Sequence, residues 1–198
     1  RVEGRRLSLI RRRVANVKNR PVRETQAAFP RSRSYFPTRV RDPTMHDVAF
    51  LADLTLDGTV ETTAAHRERY TTDAGVEEFG HLDVTDDGPD AVVYADSTAD
   101  VSATLDACTE HGVPVTPYAA GTGLEAGAVP VEGGVSLDLS GLDQILDVRP
   151  ESLQVDAEAG VLGGDLNERL ERHGLFLPPL PSSGDISTLG GMVATDAA

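Results

Sequence analysis

The sequence predicts an α+β fold, and three observations predict it. A short apolar run, a capped helical stretch and a second apolar run follow one another over residues 91–118. Three further strand-like runs, at 135–139, 145–148 and 153–157, come with no helical stretch between them. The chain has 198 residues, 39% apolar and 5% aromatic with no Trp, so its core must be aliphatic and of single-domain size, with or without a tail. A single cysteine excludes an intrachain disulfide framework and a cysteine-based metal site. No apolar run approaches the ~18 residues that cross a bilayer.

Residues 47–56 (DVAFLADLTL) read as a short amphipathic helix, and 61–90 as polar and turn-rich, ending in Asp86-Asp87-Gly88-Pro89. Ala91–Tyr94 is a strand. Ser97 or Thr98 then caps a helix to about His111, with Val101, Leu105 and Cys108 or Ala107 at helical spacing and Gly112 as its stop. Val113–Tyr118 is the second strand, expected parallel to the first. The stretch AAGTGLEAGAVPVEGG (119–134) leaves no room for a helix. Strands at Val135–Leu139, Ile145–Val148 and Leu153–Ala157 are expected to form a separate small sheet. Gly164–His173 is helical, with Leu166 and Leu170 on one face and Gly174 as its stop. A Pro-rich turn and ISTLGGMVATDAA follow.

Charge divides the chain at Met45. Residues 1–44 carry 13 basic and three acidic residues, a net +10; residues 45–198 carry five Arg, no Lys and 29 acidic residues, a net −24. The basic segment has no sustained period and is interrupted by Pro21, Pro30, Pro37 and Pro43. Three readings compete for it: a nucleic-acid arm, an Arg-rich transit leader, and upstream sequence preceding a true start at Met45. The composition step favours the third, so 1–44 is expected to be disordered or non-native and 45–198 to be the folded body. That body suits a salt-saturated cytoplasm, where carboxylates keep a surface hydrated and the Debye length is about 3 Å in 1 M salt. It should repel nucleic acid and anionic lipid. The five histidines are dispersed, with His111 and His173 closing helices. Cys108 reads as a buried apolar residue, and Glu77-Glu78 and Asp86-Asp87 as solvated surface.

Gly121-Thr-Gly123-Leu-Glu-Ala126 formally matches a dinucleotide fingerprint, with Asp143 twenty residues beyond Gly123. That mechanism needs a helix directly after the glycines. Gly127, Pro130, Gly133 and Gly134 occupy the supposed helix, where Pro costs about 3 kcal/mol and each Gly about 1. The nicotinamide reading therefore fails. Small residues after a strand can still converge their backbone N–H groups on an anion without a helix. A second cluster lies some sixty residues later: Pro181-Ser182-Ser183-Gly184, then Ser187-Thr188-Leu189-Gly190-Gly191-Met192-Val193-Ala194-Thr195.

Three ordered segments, VPVTPYAAGTGLEAGAVPVEGGVSLDLSGLDQILDV (113–148), VDAEAGVLGGDLNERLERHGLFLPPLPSS (155–183) and STLGGMVATDA (187–197), resemble the FAD-linked oxidase family that includes vanillyl-alcohol oxidase. The similarity is strongest to its D-lactate dehydrogenase (cytochrome) and glycolate oxidase D-subunit branch, and covers about residues 89–198. The resemblance implies a vanillyl-alcohol oxidase-type FAD-binding domain of two small α/β subdomains with FAD between them, truncated at the C-terminus and lacking the cap domain. It implies that Tyr118, Ala119, Ala120, Gly121, Thr122, Gly123 and Leu124 wrap the FAD diphosphate. Pro181, Ser182, Ser183, Thr188, Gly190, Gly191, Ala194 and Thr195 would line the rest of the cofactor. Members often have Arg-Gly where Tyr118-Ala119 stand, and Asn where Asp196 stands. Covalent-flavin relatives place His where Thr122 stands, which implies noncovalent FAD here.

The implied activity is oxidation of a D-2-hydroxy acid, D-lactate or glycolate, with hydride transfer to the flavin. Electrons would pass on to a quinone, cytochrome or iron–sulfur partner. The resemblance places the catalytic His and metal-ligand residues beyond position 198, so no catalytic or metal residue is assigned. The protein is expected in the cytoplasm, free or peripheral to a membrane. Competing readings are a non-catalytic FAD-binding fragment, another flavin-linked alcohol oxidase of the family, and a nucleic-acid-binding protein using residues 1–44.

Overall fold

The computed structural model describes residues 45–79, 88–178 and 180–197. The chain divides into two units, 1–38 and 39–198, and all the described residues belong to the second. The expectations for residues 1–44 and for Asp86-Asp87 fall outside the described residues, as do the side chains of Glu77 and Glu78.

The body is built on a four-stranded sheet. Its strands are β1 (Thr59–Glu61), β2 (Ala91–Tyr94), β3 (Val115–Tyr118) and β4 (Val135–Asp138), in the order β1-β2-β4-β3. β1 runs antiparallel to β2, while β2, β4 and β3 are mutually parallel. The expected strands at 91–94 and 113–118 are therefore parallel but not neighbours. β4 lies between them, with Val93 and Pro117 both opposite Leu137. This corrects the expectation that 135–139 belongs to a later, separate sheet. All four β4 residues are buried, as suits a central strand covered on both faces.

Alternation along β2 sends its side chains to two faces. Ala91 and Val93 join Leu51, Ala95, Cys108, Val113, Val135 and Leu137 in the main aliphatic core. Val92 faces the other way, against Tyr70 and Tyr118. Val92, Val93 and Val135 are fully buried, each contributing about 1.5–3 kcal/mol.

The helices are short: α1 (Ala64–Arg67), α2 (Ala74–Phe79), α3 (Thr98–His111), α4 (Gly163–Glu171) and α5 (Leu189–Ala194). The first two fall in the stretch expected to be turns. Residues 47–56, expected to be helical, form only a 3-10 turn at Ala49–Asp53 that places Leu51 in the core.

α3 starts where expected. The Ser97 hydroxyl accepts from Asp100 N, and Gly112 closes the helix with φ +65°. Its buried stripe is Asp100, Thr104 and Cys108, while Leu105, expected on the buried face, is 44% exposed. The difference comes from Asp100, whose carboxylate accepts from Asp57 N at 2.9 Å, Gly58 N at 3.0 Å and Asp96 N at 3.0 Å. Burial alone would raise its pKa. These backbone N–H groups and Ser97 outweigh burial and hold the carboxyl below the usual range. Burial pushes the Cys108 thiol up.

β5 (Ile145–Arg149) and β6 (Gln154–Ala157) form a separate two-stranded antiparallel sheet. Ile145, Val148, Val155 and Ala157 pack against Val161 and against Leu166 and Leu170 of α4. Asp147 and Asp156 stand directly opposite one another. Arg149 relieves their repulsion, contacting Asp147 at 2.6 Å and Asp156 at 2.7 Å. No helix among the described residues is long and apolar enough to cross a membrane.

Candidate cofactor site

β3 ends at Tyr118, and the chain leaves the carboxyl edge of the parallel strands, where α/β sheets bind ligands. Residues 119–134 run through turns and contain no helix, so the nicotinamide geometry is absent. Strand pairing holds the start of this loop through Leu139 N, which donates to the Tyr118 carbonyl at 2.9 Å. The first turn of α2 holds the rest. Ala74 N donates to Gly121 O and Gly75 N to Gly123 O, both at 2.9 Å.

These bonds engage two of the loop's carbonyls, at Gly121 and Gly123. Among the described residues, no backbone N–H from Ala119 to Leu124 finds an acceptor. Unpaired amides in series attract an anion. Gly121 sits at φ +67°, and a Cβ built on it would lie 2.4 Å from the Tyr118 hydroxyl oxygen. Both its conformation and its close approach to the ring require glycine. Residues 119–123 are half-buried, and Leu124 is exposed.

The second cluster meets the first through Ser187. The Thr122 and Ser187 hydroxyl oxygens are 2.9 Å apart, and those of Ser183 and Ser187 3.0 Å. The Ser187 hydroxyl also donates to the Ser183 carbonyl at 2.9 Å. Thr188 caps α5 by accepting from Gly191 N. Gly163 N donates to Ser187 O, Leu189 N to Val161 O and Gly190 N to Ala159 O, docking this segment on the chain ahead of α4.

Thr122 and Ser183 thus converge, while Thr188 is buried as a cap. Gly190 admits the Ala159 backbone, a packing role: a Cβ there would lie 2.8 Å from Ala159 Cβ. Ser182, Gly191, Ala194 and Thr195 are exposed, and Pro181 is half-buried. No hydrogen bond among the described residues joins Pro181, Ser182, Gly190, Gly191, Ala194 or Thr195 to the glycine loop.

Two residues outside the expected set support the loop. Ser187 is the link just described. Asp73 is 2% exposed. Its Oδ1 accepts from Val76 N at 3.0 Å, capping α2, and its Oδ2 lies 3.6 Å from where a Gly123 Cβ would stand. The signal for Asp73 was an Asp one residue before a helix start, hidden because 61–90 read as turns. Beneath the loop, Tyr70 donates to Asp138 Oδ2 at 2.6 Å and meets Tyr118 edge to face at 4.6 Å between centroids. Burial, then the bond to Asp138, push the Tyr70 hydroxyl far above its ordinary pKa. It therefore remains a donor. The described residues contain no His, Cys, Asp and Glu cluster able to hold a metal ion.

Three parallel strands with an amide-rich glycine loop at their carboxyl edge, joined by hydroxyls to a second small-residue segment, form the frame of a dinucleotide-binding flavoprotein domain. The family profile described as FAD binding domain matches residues 89–198, more than half of the chain, and the chain belongs to that family. FAD is its cofactor. The chain is 42% identical over 105 residues to glycolate oxidase subunit GlcD of Bacillus subtilis (strain 168), covering 53% of this chain and 22% of that protein. It is 40% identical over 124 residues to a D-lactate dehydrogenase of Anaerostipes hadrus, covering 61% and 26%. The matched region thus spans about a quarter of these relatives' length. An alkyldihydroxyacetonephosphate synthase structure shares the fold, with a TM-score of 0.67 at 22% identity over 80% of this chain and 30% of that one. The fold is the vanillyl-alcohol oxidase type.

Proposed function

We propose that this chain is the FAD-binding part of a flavoprotein that oxidises a D-2-hydroxy acid, D-lactate or glycolate. The observation that carries the cofactor half of this reading is the run of N–H groups from Ala119 to Leu124 that find no acceptor among the described residues. A diphosphate offers these donors the acceptors they lack. The names of the two curated relatives support the substrate class.

In this reading Tyr118 to Leu124 hold the diphosphate by backbone amides, and Tyr118 fixes the loop's curvature under Gly121. Thr122, Ser183 and Ser187 orient one another where the two segments meet. Pro181, Ser182, Thr188, Gly190, Gly191, Ala194 and Thr195 line the remainder, with Gly190 acting through packing. Binding is noncovalent, since Thr122 provides no imidazole for attachment. When bound, the flavin supplies a hydride acceptor for the carbinol carbon, leaving a 2-oxo acid once the hydroxyl proton departs. Electrons then pass to a quinone, cytochrome or iron–sulfur partner.

The cofactor half is tested by titrating the chain with FAD and with NAD in high salt, following flavin fluorescence and ligand displacement. FAD should bind and NAD should not compete. The substrate half is tested anaerobically on a protein carrying this domain at its relatives' full length. D-lactate or glycolate should bleach the oxidised flavin and L-lactate should not. Bleaching by L-lactate alone would overturn the assignment to D-hydroxy acids.

A further inference from the structure

Arg69 lies over the tyrosine that shapes the glycine loop. Its guanidinium carbon is 5.5 Å from the Tyr118 ring centroid and 5.9 Å from that of Tyr70. Tyr118 in turn places its hydroxyl against Gly121. One aromatic ring therefore separates a cation from the run of acceptor-free amides. Tyr70 is fully buried and Tyr118 nearly so, whereas Arg69 is exposed.

Burial would lower the pKa of Arg69, but the Tyr118 hydroxyl, with Tyr70 and Asp138 nearby, outweighs it and raises the pKa. Among the described residues Arg69 forms no salt bridge. Asp138, the carboxylate under this aromatic cluster, accepts from Tyr70 at 2.6 Å and from both the N–H and the hydroxyl of Ser140. In a body with 29 acidic residues and five arginines, a cation left over two rings contrasts with Arg149, which is held by two carboxylates. The bland reading, an Arg stem covering apolar surface, accounts for the stacking. It does not account for a guanidinium one ring away from an anion-seeking loop.

The geometry points to Arg69 as the side-chain cation that contacts the cofactor diphosphate across the face of Tyr118. This rests on the proposal that the 118–124 loop holds FAD. Backbone amides supply only partial charges, and a diphosphate carries two full negative charges. Guanidinium presents a planar fork of donors that matches phosphate oxygens. Cation–π attraction to Tyr118 and Tyr70 would hold it in place before the ligand arrives.

The test titrates the wild-type chain, Arg69→Gln and Arg69→Lys with FAD at two salt concentrations, both high enough to keep each chain folded by circular dichroism. Arg69 is exposed, so the variants should fold. Arg69→Gln should raise the FAD Kd at least about tenfold, and the ratio to wild type should shrink as salt rises. Arg69→Lys should recover part of the affinity, since it keeps the charge but not the planar fork. Equal Kd values for Arg69→Gln and wild type would overturn the inference. So would a loss equally large in Arg69→Lys and indifferent to salt, the mark of lost ring packing. If wild type itself fails to bind FAD, the loop reading falls first and this inference with it; if wild type binds and Arg69→Gln matches it, only the Arg69 role falls.

Discussion

Gly121→Val tests the loop at its tightest point. Gly121 has φ +67°, where a side chain costs about 1–2 kcal/mol through its Cβ alone, and a β-branched one more. The added Cβ would stand 2.4 Å from the Tyr118 hydroxyl oxygen and 3.1 Å from Cζ, about 1 Å inside ordinary contact. Tyr118 cannot easily yield, because it is 7% exposed and its ring meets Tyr70 at 4.6 Å. The loop must therefore move instead, carrying its amides away from the diphosphate. Charge-assisted bonds are worth about 1.5–3 kcal/mol each, so displacing two costs about 3–6 kcal/mol, a factor of about 10² to 10⁴ in Kd. The assay is FAD titration in salt at which wild type and variant show the same far-UV dichroism. Gly127→Val is the matched control, since a Cβ at Gly127 meets nothing within 4 Å and its backbone is not left-handed. A folded Gly121→Val chain with wild-type FAD affinity would refute the reasoning and leave the loop purely structural.

Two further outcomes follow from the same geometry. Asp100→Asn replaces one acceptor oxygen with a donor facing backbone N–H groups, and should cost about 2–4 kcal/mol in urea unfolding at neutral pH. Because the folded-state pKa of Asp100 lies below its unfolded value, its contribution is full above the unfolded pKa and is lost as pH falls through the folded one. The gap between wild type and variant should therefore narrow in acid, and a gap that widens would contradict the assignment. Ser187→Ala removes the hydroxyl linking Thr122 to Ser183, and should destabilise the fold by about 1–2 kcal/mol and raise the FAD Kd a few-fold, read by the same titration.

What could be read from the sequence was what local chemistry decides. Ser97, Gly112 and Gly174 mark helix ends through bonds within a few residues, and each stands where expected. The glycine loop was legible for the same reason: Pro130 and the surrounding glycines forbid a helix over a short span. Long-range pairing was not legible. Nothing local in Val135–Asp138 says that it inserts between β2 and β3, because that depends on burial of both its faces by partners elsewhere in the chain. α5 was hidden because Gly190-Gly191 depress helix propensity. It forms because Thr188 caps it and its first N–H groups bond to Val161 and Ala159. At the site, the glycines were visible, but the residues that aim them were not. Asp73 and α2, which turn the loop's carbonyls away, lie more than forty residues earlier in a stretch that reads as polar turns.

On the proposed reading, this arrangement would let a body of net charge −24 hold a dianionic group. Net charge acts over a distance that salt shortens to a few ångströms, whereas binding depends on dipoles in contact. Near the loop the chain commits one of its own carboxylates, Asp138, fully to other donors. Asp138 is buried and saturated by Tyr70 and Ser140, whereas Asp73 is buried with Oδ1 committed to the start of α2 and Oδ2 without a partner among the described residues. What remains around Gly121 is a run of amide donors with no acceptor among the described residues. On that reading, an acidic surface that hydrates the protein and a local field that attracts phosphate would occupy different length scales, and one need not weaken the other.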